Sequence, residues 1–176
     1  MNLCLVRHTT VALPSSVCYG QSDVPLNSLT FEKEAQTTIL NIPQLKWDVV
    51  FTSPLTRCAR LAERAGWKEA CRDARLKELD FGEWEMTPWT EIDDPNLTAW
   101  FEDYIHVRAT EGESFMDQYE RVKSFIEEMK SRGYENVLVF THGGVVEAAR
   151  ILSGNMTFDQ LFSKSLPLGG VETLTF

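Results

Sequence analysis

The stretch Leu3-Cys4-Leu5-Val6-Arg7-His8-Thr9-Thr10 decides how the chain folds. Four apolar residues, Leu3 to Val6, run straight into a cation and a titratable base. Two later stretches share this form. Val49-Val50-Phe51-Thr52 passes into Ser53-Pro54 and on to Arg57, and Val137-Leu138-Val139-Phe140-Thr141 passes into His142-Gly143-Gly144. Short apolar runs bounded by polar, glycine- and proline-bearing segments read as strands buried on both faces. Helical stretches between them imply a mostly parallel sheet. In such a sheet the strand ends share one edge, which is where open α/β folds bind ligands. Arg7, His8, Arg57 and His142 are therefore expected to converge, although they are far apart in the chain.

The rest of the sequence fits the same architecture. A helix is expected after the loop from Thr9 to Asn27, with Glu32 and Glu34 at its positive end and Pro43 closing it. Ser53 reads as an N-cap and Pro54 as a first helical residue, in a helix running to about Gly66. Phe115, Tyr119, Val122, Ile126 and Met129 recur at helical spacing between Ser114 and Gly133, and predict a helix that serves packing only. A further helix should stop near Gly154, and Val171–Phe176 alternates like an edge strand. The segment from about 81 to 113 holds Trp84, Trp89 and Trp100, and Thr87-Pro88 and Asp94-Pro95 look like two helix starts. It reads as a small helical cap inserted into one domain spanning 1–176. The expected fold is thus an α/β three-layer sandwich with helices on both faces, its sheet mostly parallel with an antiparallel edge strand.

Composition narrows the function. No run of about 18 apolar residues is present to cross a bilayer, and the N-terminus lacks the basic and apolar pattern of a secretory leader, so the expected address is cytoplasmic. The four cysteines, Cys4, Cys18, Cys58 and Cys71, have no CxxC spacing and are expected as free thiols. A net charge of −9 disfavours nucleic acid, whose binding rests on clustered Lys and Arg. A small anion remains a fitting partner if positive groups are concentrated locally.

Two guanidiniums and two imidazoles supply that concentration. Each Arg offers paired N–H donors to a phosphate dianion, and the backbone N–H of Gly143 or Gly144 adds another. A neutral imidazole attacking phosphorus forms a phosphohistidine and splits a hard hydrolysis into two easier steps. The other groups stabilise the charge on the equatorial oxygens. A proton donor for the leaving alcohol is also needed, and "RLKELDFGEWE" offers Glu78, Asp80, Glu83 and Glu85.

The sequence resembles the histidine phosphatase superfamily, also called the phosphoglycerate mutase-like superfamily. "LVRHT", "TSPLTRCAR", "RLKELDFGEWE" and "VLVFTHGG" carry the resemblance, all in family order and spanning nearly the whole chain. It implies His8 as the phosphorylated nucleophile, Glu78 as the proton donor, and Arg7, Arg57 and His142 as the phosphate pocket. Thr9 stands where the family usually has glycine, and the asparagine usual a few residues later is absent from "TTVALPSS". The loop "CYGQSDVPLN", Cys18–Asn27, resembles the α-ribazole phosphatase branch, and within it Gln21 is a candidate for the missing loop contact. The implied activity is hydrolysis of a small phosphorylated substrate, with α-ribazole 5′-phosphate of cobalamin nucleotide-loop assembly as the expected one. No cofactor or metal is implied.

Other readings stand beside it. Cys58 and Arg64 satisfy the Cys-x5-Arg spacing of thiol phosphatases, but in a glycine-free helical run that cannot wrap its amides round a phosphate. A metal hydrolase would use His8, His142 and a carboxylate, yet no HExxH or carboxylate-rich spacing appears. A broad-specificity phosphatase keeps the same pocket. A mutase needs further basic residues, and Phe81–Ile105 contains no Lys or Arg. A silent phosphate-binding module would have lost the nucleophile or the donor. Arg60 is expected on a helix surface and His106 in solvent.

Overall fold

The computed structural model describes residues 1–176. Five strands form one mixed sheet: β1 (Asn2–Arg7), β2 (Val49–Thr52), β3 (Cys71–Arg72), β4 (Asn136–Thr141) and β5 (Val171–Thr175), in the spatial order β3-β2-β4-β1-β5. All neighbours are parallel except β5, which runs antiparallel to β1 at the edge. Arg7 pairs with Thr141 and Thr52 with Phe140, so β1, β2 and β4 end level with one another. The ladder then continues by one bond on each side, His8 N–H to Thr141 O at 3.0 Å and Ser53 N–H to Phe140 O at 2.8 Å. His8, Ser53 and His142 thereby emerge at the same edge.

Successive residues of a strand face opposite sides. Leu3, Leu5, Val137 and Val139 pack against α4 (Phe115–Ser131) and α5 (Gly143–Leu152) on one face. Cys4, Val6, Leu138 and Phe140 pack against α1 (Phe31–Asn41) and α2 (Thr56–Arg64) on the other. This makes the three-layer sandwich. Helix α4 opens with a capping box, in which Ser114 Oγ accepts from Asp117 N–H and the Asp117 carboxylate accepts from Ser114 N–H. Such caps are worth about 0.5–2 kcal/mol.

Three expectations are corrected. Ser53 is not the cap of α2, which begins only at Thr56; Asp23, from the loop after β1, accepts from Thr56 N–H at 2.8 Å, and Ser53 is taken by His142. Thr87-Pro88 starts only a single 3₁₀ turn, Trp89–Glu91, whereas Asp94-Pro95 does precede an α-helix, α3 (Asn96–Glu102), whose Asn96 N–H is held by Asp94. Helix α4 is more than packing, as the site shows. Strand β3, two residues long, was too short to leave a periodic signal.

The segment before α4 has its own small core of Cys18, Leu79, Trp84, Trp100 and Ala109. Trp84 and Trp100 are buried there, with Trp84 Nε1–H donating to Asp94 at 2.6 Å. Trp89 stacks on Trp100 with ring centres 5.8 Å apart and stays partly open.

Candidate active site

The common strand edge opens into a cavity of about 250 Å³ lined by Arg7, His8, Glu78, Gln118, Gly143 and Gly144, with Tyr19, Phe81, Trp89 and Phe162 among the other lining residues. His8 is only 2% exposed. Its Nδ1 lies 2.7 Å from the carbonyl oxygen of Thr9. A carbonyl can only accept, so Nδ1 carries the proton and Nε2 keeps a free lone pair. Burial, and then the positive charge of Arg57, lower the His8 pKa to about 3, which holds the ring neutral.

Arg7 stands beside it. One of its terminal nitrogens donates to Leu166 O, while Nε is buried with no hydrogen-bond partner. A Cβ on Gly143 would lie 3.1 Å from the Arg7 guanidinium carbon, so the absence of a side chain there lets the helix start approach the cation closely. Gly143 and Gly144, the first residues of α5, line the same cavity, which sets the positive end of that ten-residue helix beside it. An anion facing His8 would meet the unpaired Arg7 N–H and this helix terminus together.

Arg57 and His142 lie directly behind His8 rather than on the cavity lining. The His8 and His142 rings meet edge to face with centres 5.3 Å apart. Arg57, 0% exposed, donates from Nε to His142 Nδ1 at 3.2 Å and from its terminal nitrogens to Ser22 O and Gly20 O. Guanidinium never accepts, so His142 Nδ1 is bare and its proton sits on Nε2, 2.8 Å from Ser53 Oγ. Burial first, and then Arg57, push the His142 pKa well below the usual imidazole value. Four groups expected to face one phosphate thus form two layers, and Arg57 also ties the Cys18–Asn27 loop to the strand edge.

Among the four candidate carboxylates only Glu78 lines the cavity. Its Oε1 accepts from Leu79 N–H at 3.0 Å, Gln118 Nε2–H at 3.1 Å and Gly144 N–H at 3.1 Å. Asp80 accepts from Gly82 N–H, Glu83 is exposed, and Glu85 accepts from the backbones of Gln21, Ser22 and Phe81. Gln21 does not reach the cavity lining; its side-chain amide donates to Glu78 O at 3.2 Å. A Cβ on Gly144 would sit 2.5 Å from Glu78 Oε1, so only glycine lets the carboxylate reach the helix.

Cys58 is fully buried, donates to Thr141 O at 3.2 Å and has its thiol pKa pushed up by burial, away from the thiolate a nucleophile needs. No three His, Cys, Asp or Glu side chains are grouped to hold a metal ion. Arg60 pairs with Glu63 on the surface of α2, and His106 pairs with Asp103 in solvent. Gln118, Arg121 and Glu147 belong to the site without standing in any sequence motif. Arg121 donates to the carbonyls of Arg75, Lys77 and Glu78, and buried Glu147 accepts from Phe162 N–H and Ser165 Oγ–H beside the cavity. A signal for Gln118 existed: it is the one amide on the apolar stripe of α4, three residues after Phe115 and four before Val122.

A histidine with a free Nε2 beside an unpaired guanidinium N–H and a carboxylate, on this sheet, defines a phosphatase of the histidine type, and the chain belongs to the histidine phosphatase superfamily. The model of branch 1 of that superfamily matches residues 3–176. The adenosylcobalamin/alpha-ribazole phosphatase of Escherichia coli (strain K12) is 32% identical over 154 residues, 83% of this chain and 75% of that enzyme. Phosphoserine phosphatase 1 of Hydrogenobacter thermophilus is 29% identical, over 81% of this chain and 71% of its own. The crystal structure of the alpha-ribazole phosphatase from Shigella flexneri superposes with a TM-score of 0.85 at 25% identity, covering 98% of this chain and 89% of that one.

Proposed function

We propose that this phosphatase hydrolyses a phosphomonoester whose alcohol carries a flat, uncharged aromatic group, and that α-ribazole 5′-phosphate is its substrate, in cobalamin nucleotide-loop assembly. The observation that carries the chemistry is the Thr9 carbonyl fixing the His8 tautomer on the cavity wall it shares with Arg7 and Glu78. In the first step His8 Nε2 gives its lone pair to phosphorus. The P–O ester bond breaks, its electrons stay on the alcohol oxygen, and that oxygen takes the proton of Glu78. In the second step water attacks phosphorus, returns a proton to Glu78, and the P–N bond breaks to restore neutral His8. Arg7 and the Gly143 amide hold the phosphoryl oxygens, while behind His8 the Arg57 guanidinium supplies positive charge and the neutral His142 ring keeps its N–H ordered toward Ser53. Gln21 acts here through the Glu78 backbone.

The substrate reading rests on the walls. Tyr19, Phe81, Trp89 and Phe162 offer aromatic faces, and Arg7 is the one Lys or Arg on the lining. A second anionic group, as in a bisphosphorylated mutase intermediate or the carboxylate of phosphoserine, finds no second cation there. The alpha-ribazole names of the relatives point the same way. We take 1–176 as one domain and about 81–113 as the cap that contributes Trp89. The test is kcat/KM across α-ribazole 5′-phosphate, phosphoserine, 3-phosphoglycerate and an aryl phosphate. The reading expects α-ribazole 5′-phosphate to lead by at least tenfold; a flat profile would indicate broad specificity, and phosphoryl transfer to a second hydroxyl a mutase.

A further inference from the structure

Gln118 lies on the buried face of α4, 0% exposed, and lines the cavity. Its Nε2–H donates to Glu78 Oε1 at 3.1 Å, while its own Oε1 is buried with no partner. A buried acceptor left unpaired costs stability, and an apolar side chain of the same shape would avoid that cost. An amide held there at a loss has a use for its other end. Three N–H groups, from Leu79, Gln118 and Gly144, converge on Glu78 Oε1, whereas Oε2 receives only a longer share of the Gly144 bond at 3.3 Å. An oxygen facing three donors has no free site for a proton. One helical turn on, Arg121 donates to Glu78 O at 2.9 Å and holds the backbone of the same residue.

We propose that Gln118 is a positioning residue that saturates Oε1 of Glu78, so that Oε2 is the oxygen that gives the proton to the leaving alcohol and takes it back from water. The proposal rests on Glu78 being the acid, and the experiment separates the two. It acts through Glu78 and touches neither phosphate nor alcohol. Its mark is therefore a kinetic loss that follows Glu78 and not a loss of fold.

The experiment uses the full chain with an alkyl and an aryl phosphate, comparing Gln118→Met, Glu78→Gln and the double variant. Gln118→Met should lower kcat on the alkyl phosphate about tenfold and on the aryl phosphate far less, because a good leaving group needs little protonation. Its melting temperature should equal or exceed that of the wild type. In the Glu78→Gln background the same change should cost nothing further. Equal losses on both substrates, or a full second loss in the double variant, overturn the proposal. If Glu78→Gln itself slows both substrates alike, Glu78 is not the acid and the proposal falls with that reading. Gln118→Leu is the second variant; if neither variant folds, the side chain is structural and the proposal is wrong.

Discussion

Arg57 Nε–H donates to Nδ1 of His142 across 3.2 Å, and neither residue has any appreciable exposure. This bond fixes the His142 proton on Nε2 toward Ser53 and leaves the remaining Arg57 donors for the carbonyls of Gly20 and Ser22. A lysine has neither the planar fork nor the reach for three directions. Arg57→Lys is expected to lower kcat/KM about 100-fold and to destabilise the fold by about 1–3 kcal/mol for each buried acceptor left unpaired. Steady-state kinetics with chemical denaturation check both; unchanged kinetics would remove Arg57 from the site.

Acid should weaken the fold through His8. An unfolded imidazole gains a proton below about pH 6.5. Native His8 stays neutral until about pH 3. Between those values the unfolded chain binds more protons, so stability is present above the upper value and is lost as pH falls toward the lower. Well below the upper value the loss is about 1.4 kcal/mol per pH unit. His142 shifts in the same direction. Urea unfolding of the wild type and His8→Asn at pH 7 and pH 5 should show the wild type losing about 2 kcal/mol more than the variant. Equal losses would mean that His8 is not held neutral.

The sheet was legible because its strands announce themselves twice, by apolar runs and by the polar residues that end them. Arg7, His8 and His142 followed from that pattern, since a level parallel edge brings strand ends together without further information. What the pattern could not carry is depth. Nothing in "TSPLTR" says that Ser53 turns inward to His142 or that Arg57 spends its donors on a loop 35 residues upstream. Residue types alone leave Glu78 one of four carboxylates and the family resemblance selects it; the close approach that Gly144 of α5 permits gives the physical reason. Gln118 was hidden by its own helix, where one amide among apolar residues looked like tolerated noise.

Gly144 should accept no side chain. The Gly144→Ala methyl would meet both Glu78 Oε1 and the Gln118 amide, so the carboxylate must move off the helix. We expect kcat on an alkyl phosphate to fall about 100-fold, the range that general acid catalysis supplies, with a smaller loss on an aryl phosphate. Comparable rates for variant and wild type on the alkyl ester would show that the close approach has no catalytic role.

The aromatic walls should act on the substrate's base rather than its phosphate. Trp89→Ala is expected to lower kcat/KM for α-ribazole 5′-phosphate by about 1–3 kcal/mol, the range found for a base stacked on an aromatic ring. A small alkyl phosphate should be unaffected, because it does not reach the ring. A matching loss on both would place Trp89 in the packing of the cap instead.

Rapid acid-free quenching of a turnover mixture with phosphate-labelled substrate addresses His8 as the nucleophile most directly. Label should appear on the protein within one turnover, should be stable to base and labile to acid, and should map to the peptide holding His8, with none on His8→Asn. Label on Cys58, or undiminished hydrolysis by folded His8→Asn, would contradict the account.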